Sequence, residues 1–109
     1  MYKIESVQDV SRPRCKRFVA HIIVDYDDKE KVKTAIAEAT KAIKETDDYS
    51  NETTKRKFDC PAHVVRLYVH FGKRLICQSM WIDNTLKNVP LPIPLKYNDT
   101  IDDIGIVWL

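Results

Sequence analysis

Cysteine and histidine side chains are the first candidates for chemistry, because both bind transition metals and both take part in nucleophilic catalysis. Cys60 and His63 are separated by two residues, a spacing that allows both side chains to reach one metal ion. The other residues that could complete a zinc site lie on separate segments, and they are Cys15, His21, His70 and Cys77. A structural zinc site usually has two close pairs of ligands, so we predict no metal site and no cofactor.

A Cys/His nucleophile pair is the second candidate. If Gly72 and Lys73 form the turn of a two-residue hairpin, Cys77 becomes a diagonal neighbour of His70 on the same face. A nucleophilic thiol also needs a group that lowers its pKa and donors that bind an oxyanion. The segment has neither a helix start nor a glycine-rich loop, so we favour a protein that is not an enzyme. A small Cys/His hydrolase stays an alternative.

Two groups of aspartates could hold Mg²⁺ for phosphodiester cleavage if the fold brought them together. Asp25, Asp27 and Asp28 follow a predicted strand, and Asp102 with Asp103 precedes the last one. Helix capping and turn formation also explain these positions, and we favour that explanation. A metal-dependent nuclease is therefore a lesser alternative.

Basic residues cluster in three short segments that flank predicted strands. The net charge of +2 is too small to indicate nucleic acid by itself, and charged loops also keep a protein soluble. The side chains that could contact nucleic acid are Arg12, Arg14, Lys55, Arg56, Lys57, Lys73 and Arg74.

The composition is that of one globular domain over residues 1–109, with 44% apolar and 31% charged residues. Three cysteines without regular spacing do not form a disulfide framework, and the first residues lack the apolar stretch of a secretory signal. No apolar run approaches the roughly 18 residues of a membrane span. We expect a cytoplasmic protein that contacts no membrane.

The hydrophobic pattern predicts an α+β domain of two layers, a mixed sheet of about four or five strands with one long amphipathic helix on one face. Asp27 is placed to cap the helix, and Glu30 to complete a capping box. The nearly continuous apolar run at 18–26 predicts a strand that is buried on both faces. We predict strands at 2–10, 18–26, 63–71, 75–82 and 104–109, a helix at 28–45, a loop at 46–54, a proline-rich strap at 89–95 and a turn at 98–100.

The predicted hairpin register decides which side chains point away from the helix. A two-residue turn pairs Phe71 with Arg74, and the pairs that follow are Val69 with Ile76, Leu67 with Gln78 and Val65 with Met80. These pairs then form the core side. Arg66, Tyr68, His70, Cys77 and Trp81 are assigned to the opposite side.

We expect a non-catalytic interaction or regulatory domain, because apolar and aromatic side chains on that side fit a protein partner or a second copy of the chain. The predicted partner-binding residues are Arg66, Tyr68, His70, Trp81, Leu91 and Ile93. The alternative is a nucleic-acid-binding module that uses the same hairpin together with the basic clusters. No small-molecule ligand is inferred, and no motif extends far enough to name a family.

Overall fold

The described residues form two strands, one helix and four further strands. The computed structural model describes residues 2–11, 15–45, 62–83 and 96–109. Its elements are β1 (Tyr2–Asp9), β2 (Arg17–Val24), α1 (Lys29–Lys44), β3 (Val64–Phe71), β4 (Arg74–Ile82), β5 (Asp99–Ile101) and β6 (Ile104–Trp108). The strands form one mixed sheet in the order β1-β2-β3-β4-β6-β5. The predicted α+β class is confirmed, but the sheet has six strands rather than four or five. The predicted loop at 46–54 and strap at 89–95 lie outside the described residues.

β2 and β3 form a parallel pair in the interior of the sheet, and α1 lies in the crossover between them. Burial alternates along β2, which means that only one of its faces is covered. His21 and its neighbours Val19 and Ile23 are only half-buried, so the predicted burial on both faces is wrong. The residues of β2 in the main core are Phe18, Ala20, Ile22 and Val24.

α1 begins where its first free N–H groups find a side-chain acceptor. Asp28 is the N-cap, and its carboxylate accepts from the N–H groups of Glu30 at 3.0 Å and Lys31 at 3.2 Å. The cap is therefore Asp28 rather than Asp27, and such a cap contributes about 1 kcal/mol. The buried stripe that packs on the sheet consists of Val32, Ala35, Ile36, Ala39, Thr40 and Ile43. Burying one Ile in such a stripe stabilises the fold by roughly 1.5–3 kcal/mol.

The sixth strand lies where a turn was predicted. Asp99 pairs with Ile106 and Ile101 with Ile104, so residues 99–101 form the edge strand β5. The chain reverses at Asp102 and Asp103 instead, and Asp102 has a φ of 53°. Aspartate tolerates this left-handed conformation better than most residues. The predicted turn at 102–103 is confirmed, and the one at 98–100 is wrong, because three residues are too few to show a strand period.

The β3–β4 hairpin contains a β-bulge that changes its register. Phe71 pairs with Arg74 as predicted, but the register shifts by one residue between His70 and Val69. The pairs beyond the bulge are Val69 with Cys77, Leu67 with Ser79 and Val65 with Trp81, so the predicted pairs with Ile76, Gln78 and Met80 are wrong. One extra residue on a strand moves every later side chain to the opposite face.

Trp81 and Cys77 consequently lie on the helix side of the sheet. Trp81 is 8% exposed, Cys77 is fully buried, and both belong to the main core cluster. The predicted position of both residues on the opposite side is wrong. That opposite side, the sheet face turned away from α1, is called the outer face below.

Candidate functional site on the outer face

Five side chains of β2, β3 and β4 form a polar band on the outer face. We call this band the polar track, and its members are His21, Arg66, Tyr68, His70 and Gln78. The parallel register places His21 beside Tyr68, and the antiparallel register places Gln78 on the other side of Tyr68. All five are half-buried, so their neighbours restrain them while part of each remains in contact with solvent. No helix or strand of the described residues packs over them.

His21 and His70 are joined by a hydrogen bond between their rings. His21 Nδ1 lies 3.0 Å from His70 Nε2, and one of these two nitrogens donates its hydrogen to the other. The ring centroids are 5.3 Å apart and the planes differ by 23°, which describes two rings that meet edge to edge in nearly one plane. This bond uses His21 Nδ1 and His70 Nε2, so the other nitrogen of each ring does not take part in it.

Tyr68 connects the histidine pair to Arg66. Its ring centroid lies 5.0 Å from that of His21 with an angle of 16° between the planes, which is an offset stack. The Arg66 guanidinium lies 5.2 Å from the centroid of Tyr68, and Arg66 Nη2 donates to Gln78 Oε1 at 2.8 Å. Arg66 Nε is buried and has no hydrogen-bond partner within the described part of the chain. The track therefore holds Arg66 in place while leaving part of its donor capacity unused.

A small cavity on the outer face is lined by two arginines. Its volume is about 110 Å³, and Arg17 and Arg66 are the charged residues of its lining. Arg17 is anchored by its backbone N–H, which donates to Ser11 Oγ at 3.0 Å, and by Nε, which donates to the Val10 carbonyl at 3.4 Å. Apolar side chains that include Val64 and Met80 complete the lining. Two arginines that line one small cavity are suited to binding a phosphate or a carboxylate.

The charge of the outer face is positive. Lys3, Arg17 and Arg66 occupy paired positions of the strands on this face. Among the carboxylates of the described strands, Asp9 and Asp99 pair on the helix side, and Glu5 is exposed at the β-bulge of β1 without a paired position. The three cations at paired positions favour the binding of an anion.

His63 has a structural role at the start of β3. Its Nδ1 accepts a hydrogen bond from the backbone N–H of Lys16 at 2.9 Å, and the residue is 8% exposed. Burial lowers the pKa of His63, Asp83 opposes the shift and Lys16 adds to it. No group of three or more metal-binding side chains occurs among the described residues, and Cys60 lies outside them.

Cys77 is separated from His70 by the sheet itself. Burial raises the pKa of the Cys77 thiol to about 12, so the thiolate required of a nucleophile does not form near neutral pH. The predicted diagonal contact between the two residues is wrong, because the bulge turns Cys77 to the helix side. The geometry of a Cys/His hydrolase is therefore absent at this pair.

Three of the five aspartates considered for metal binding have structural roles. Asp28 caps α1, and Asp103 Oδ2 accepts from Trp81 Nε1 at 2.9 Å. Asp102 supplies the turn before β6.

The predicted site residues divide into three sets. Arg66, Tyr68 and His70 do lie together on the outer face, whereas Trp81 does not. Lys73 and Arg74 are exposed at the hairpin turn. The predicted residues that lie outside the described part of the chain are Arg12, Arg14, Lys55, Arg56, Lys57, Leu91 and Ile93.

Arg17, His21 and Gln78 were missed as members of one site. Arg17 and His21 have the same parity on β2, which predicts a shared face. The register between β2 and β3 was the missing information, since it places His21 next to Tyr68.

α1, the one helix in the described part of the chain, cannot span a membrane. Comparison with known proteins gives no match to any family model, curated protein or solved structure.

Proposed function

We propose that the outer face binds single-stranded nucleic acid through its phosphates. The observation that carries this proposal is the cavity that Arg17 and Arg66 line together, on the same face as the rest of the polar track. Phosphate contacts by Lys and Arg supply most of the affinity of sequence-independent binding. Arginine suits this role because its planar fork binds two phosphate oxygens at once.

Hydrogen bonds from the track supplement the phosphate contacts. Tyr68 already stacks with His21 and contacts the Arg66 guanidinium, so its ring has little free surface for a base. The ring edges of His21 and His70 and the amide of Gln78 can instead bond to sugar hydroxyls, phosphates or base edges. We therefore expect weak dependence on base identity.

A single strand suits the outer face better than a duplex. The track crosses three strands, which is about 10 Å at the spacing of strands in a sheet. The arginine cavity is small, and its arginines are half-buried. A flexible single strand can bend one phosphate into such a recess, whereas the phosphates of a duplex follow a rigid helical path.

A protein partner, or a second copy of this chain, is the second candidate. Half-buried Val19, Ile23 and Val107 border the track and would give such an interface its apolar area. Trp81 is the largest aromatic side chain among the predicted partner-binding residues, and its burial in the core removes that support. We rank the nucleic-acid function first for this reason.

The test is the affinity for a fluorescently labelled ten-nucleotide RNA and its DNA equivalent, measured by anisotropy at two salt concentrations. Arg17→Gln with Arg66→Gln should weaken binding, and removing two contacts should reduce the slope of log K against log salt by about 1.4. Lys31→Gln with Lys41→Gln is the matched control, because it removes the same charge from exposed positions of α1.

Thermal unfolding of each variant verifies that the fold is intact. Binding that is equal at both salt concentrations, or is lost equally in both double variants, contradicts the proposal. Salt-independent self-association in sedimentation, without oligonucleotide binding, would favour the second candidate.

A further inference from the structure

A larger cleft lies at the hairpin end of the sheet, beside the start of α1. Its volume is about 420 Å³, within the range of about 300–1,000 Å³ found for ligand sites. The side chains and backbone that line it include those of Asp27, Lys29, Arg74, Leu75, Ile76 and Trp108. None of these residues belongs to the polar track or to the arginine cavity, so the cleft is a separate feature.

Trp108 gives the cleft a fixed aromatic wall. Its Nε1 donates to Asp99 Oδ2 at 2.8 Å, and its backbone N–H donates to Asn98 Oδ1 at 2.9 Å. Asp99 is in turn held by Lys33 Nζ at 3.1 Å. The hydrogen bond from Trp108 is the main reason that the pKa of Asp99 falls to about 2, which keeps the carboxylate charged as an acceptor. The indole is thus positioned before any ligand arrives.

Two cations at this cleft contact rings rather than carboxylates. Lys29 Nζ lies 5.2 Å from the centroid of the Trp108 ring, and the Arg74 guanidinium lies 6.0 Å from that of Phe71. Within the described residues, neither forms an ion pair. Both can therefore bind an anion without breaking an existing salt bridge.

One carboxylate accompanies the two cations. Asp27 lines the cleft, but the helix N-terminus is capped by Asp28. The carboxylate of Asp27 can accept a hydrogen bond from an amino or hydroxyl group of a ligand. Leu75 and Ile76 add apolar surface. This set of groups fits a ligand that joins an anionic group to a planar ring with polar substituents.

We propose that this cleft binds a nucleoside monophosphate, either free or as the phosphorylated end of a strand. Lys29 and Arg74 bind its phosphate, the base lies against Trp108 and Leu75, and Asp27 accepts from an amino or hydroxyl group. Inorganic phosphate alone uses the cations but leaves most of the 420 Å³ unfilled. The site is independent of the proposed function of the outer face, since it uses other residues.

Nitrogen-15 NMR of the indole groups tests this directly, because the chain has only two tryptophans. Adenosine monophosphate should shift the indole N–H signal of Trp108 and leave that of Trp81 unchanged. Adenosine without phosphate should bind at least roughly tenfold more weakly, because it lacks the charge-assisted hydrogen bonds. Inorganic phosphate alone should shift the Trp108 signal less than the monophosphate does, because it can move Lys29 away from the ring but places no base against it.

Lys29→Gln and Arg74→Gln should each weaken binding of the monophosphate by roughly tenfold, with Lys31→Gln as the matched control. A 5′-phosphorylated oligonucleotide, added to the Arg17→Gln and Arg66→Gln double variant, separates the two sources of the ligand. If the Trp108 signal shifts with the phosphorylated oligonucleotide but not with adenosine monophosphate, the ligand is the end of a strand. If the signal shifts with neither of these two ligands at millimolar concentration, or shifts equally in the Arg74→Gln variant, the proposal is overturned.

Discussion

Truncation of Trp81 tests the bulged register of the β3–β4 hairpin. The Trp81 residue is 8% exposed, and its Nε1 donates to Asp103 Oδ2 at 2.9 Å. The Lys44 ammonium lies 4.4 Å from the centroid of the Trp81 ring. Trp81→Ala removes the buried indole and leaves a cavity, which costs about 3–5 kcal/mol. Because small domains have only about 5–15 kcal/mol of total stability, this variant will be severely destabilised.

Trp81→Phe gives a measurable intermediate case. It retains most of the apolar volume but loses the bond to Asp103, so the loss should be about 1–2 kcal/mol. Asp103→Ala, alone and combined with Trp81→Phe, completes a double-mutant cycle, and we expect a coupling of about 0.5–1 kcal/mol. Urea unfolding followed by circular dichroism measures all four proteins.

A hairpin without the bulge predicts a different effect of the Trp81 truncation. If the hairpin had no bulge, Trp81 would lie on the outer face, and its truncation would change the free energy of unfolding by less than about 0.5 kcal/mol, as is usual for surface positions. Gln78→Ala is the internal comparison, because Gln78 is on the outer face and half-buried. A smaller loss for Trp81→Ala than for Gln78→Ala would contradict the assignment of faces.

Three further predictions concern the core and its titrating groups. Ile36→Asp places a charge at a fully buried position of α1 and should cost more than about 3 kcal/mol in urea unfolding; an unchanged midpoint would show that the stripe does not face the sheet. Cys77, with a pKa raised to about 12, should react with iodoacetamide only after unfolding. Mass spectrometry of peptides locates the label, and rapid labelling of Cys77 itself in the native protein would contradict its burial. Burial lowers the pKa of His63 below its usual 6.5, so the unfolded chain binds the proton more readily than the folded chain does. The contribution of His63 to the free energy of unfolding should therefore be constant above pH 6.5 and should fall as the pH drops from 6.5 to the lowered pKa. His63→Asn, which retains an acceptor for Lys16, should flatten this part of the pH profile in thermal unfolding, and an unaltered profile would assign the acid sensitivity to other groups.

Much of the fold was predictable because local patterns specify it. The helical stripe around Ile36 has a clear 3.6-residue period, and the predicted aspartate cap lies only one residue before the observed cap, Asp28. Gly72 predicted the hairpin turn, where it has a φ of 61° that other residues rarely adopt. Those features depend on residues close together in the chain.

The site was less predictable because it depends on registers. β4 offers two alternating sets of side chains, and nothing local decides whether Trp81 or Met80 faces the helix. The bulge makes that choice, and it lets the large indole into the core. The contact between His21 and His70 depends on the parallel pairing of strands that are far apart in the chain. Residue parity alone places Arg66, Tyr68 and His70 on one face, but it does not specify which strand lies beside them.

The proposed function predicts where a single strand of nucleic acid lies on the protein, and chemical-shift mapping measures this most directly. A six-nucleotide RNA with an unphosphorylated 5′ end should shift the side-chain signals of Arg17, Arg66 and Gln78 together with the ring signals of His21 and His70. The exposed positions of α1, such as Lys31 and Lys41, should not respond. Shifts that are confined to α1, or an outer face that does not respond while the RNA binds elsewhere, would contradict the account.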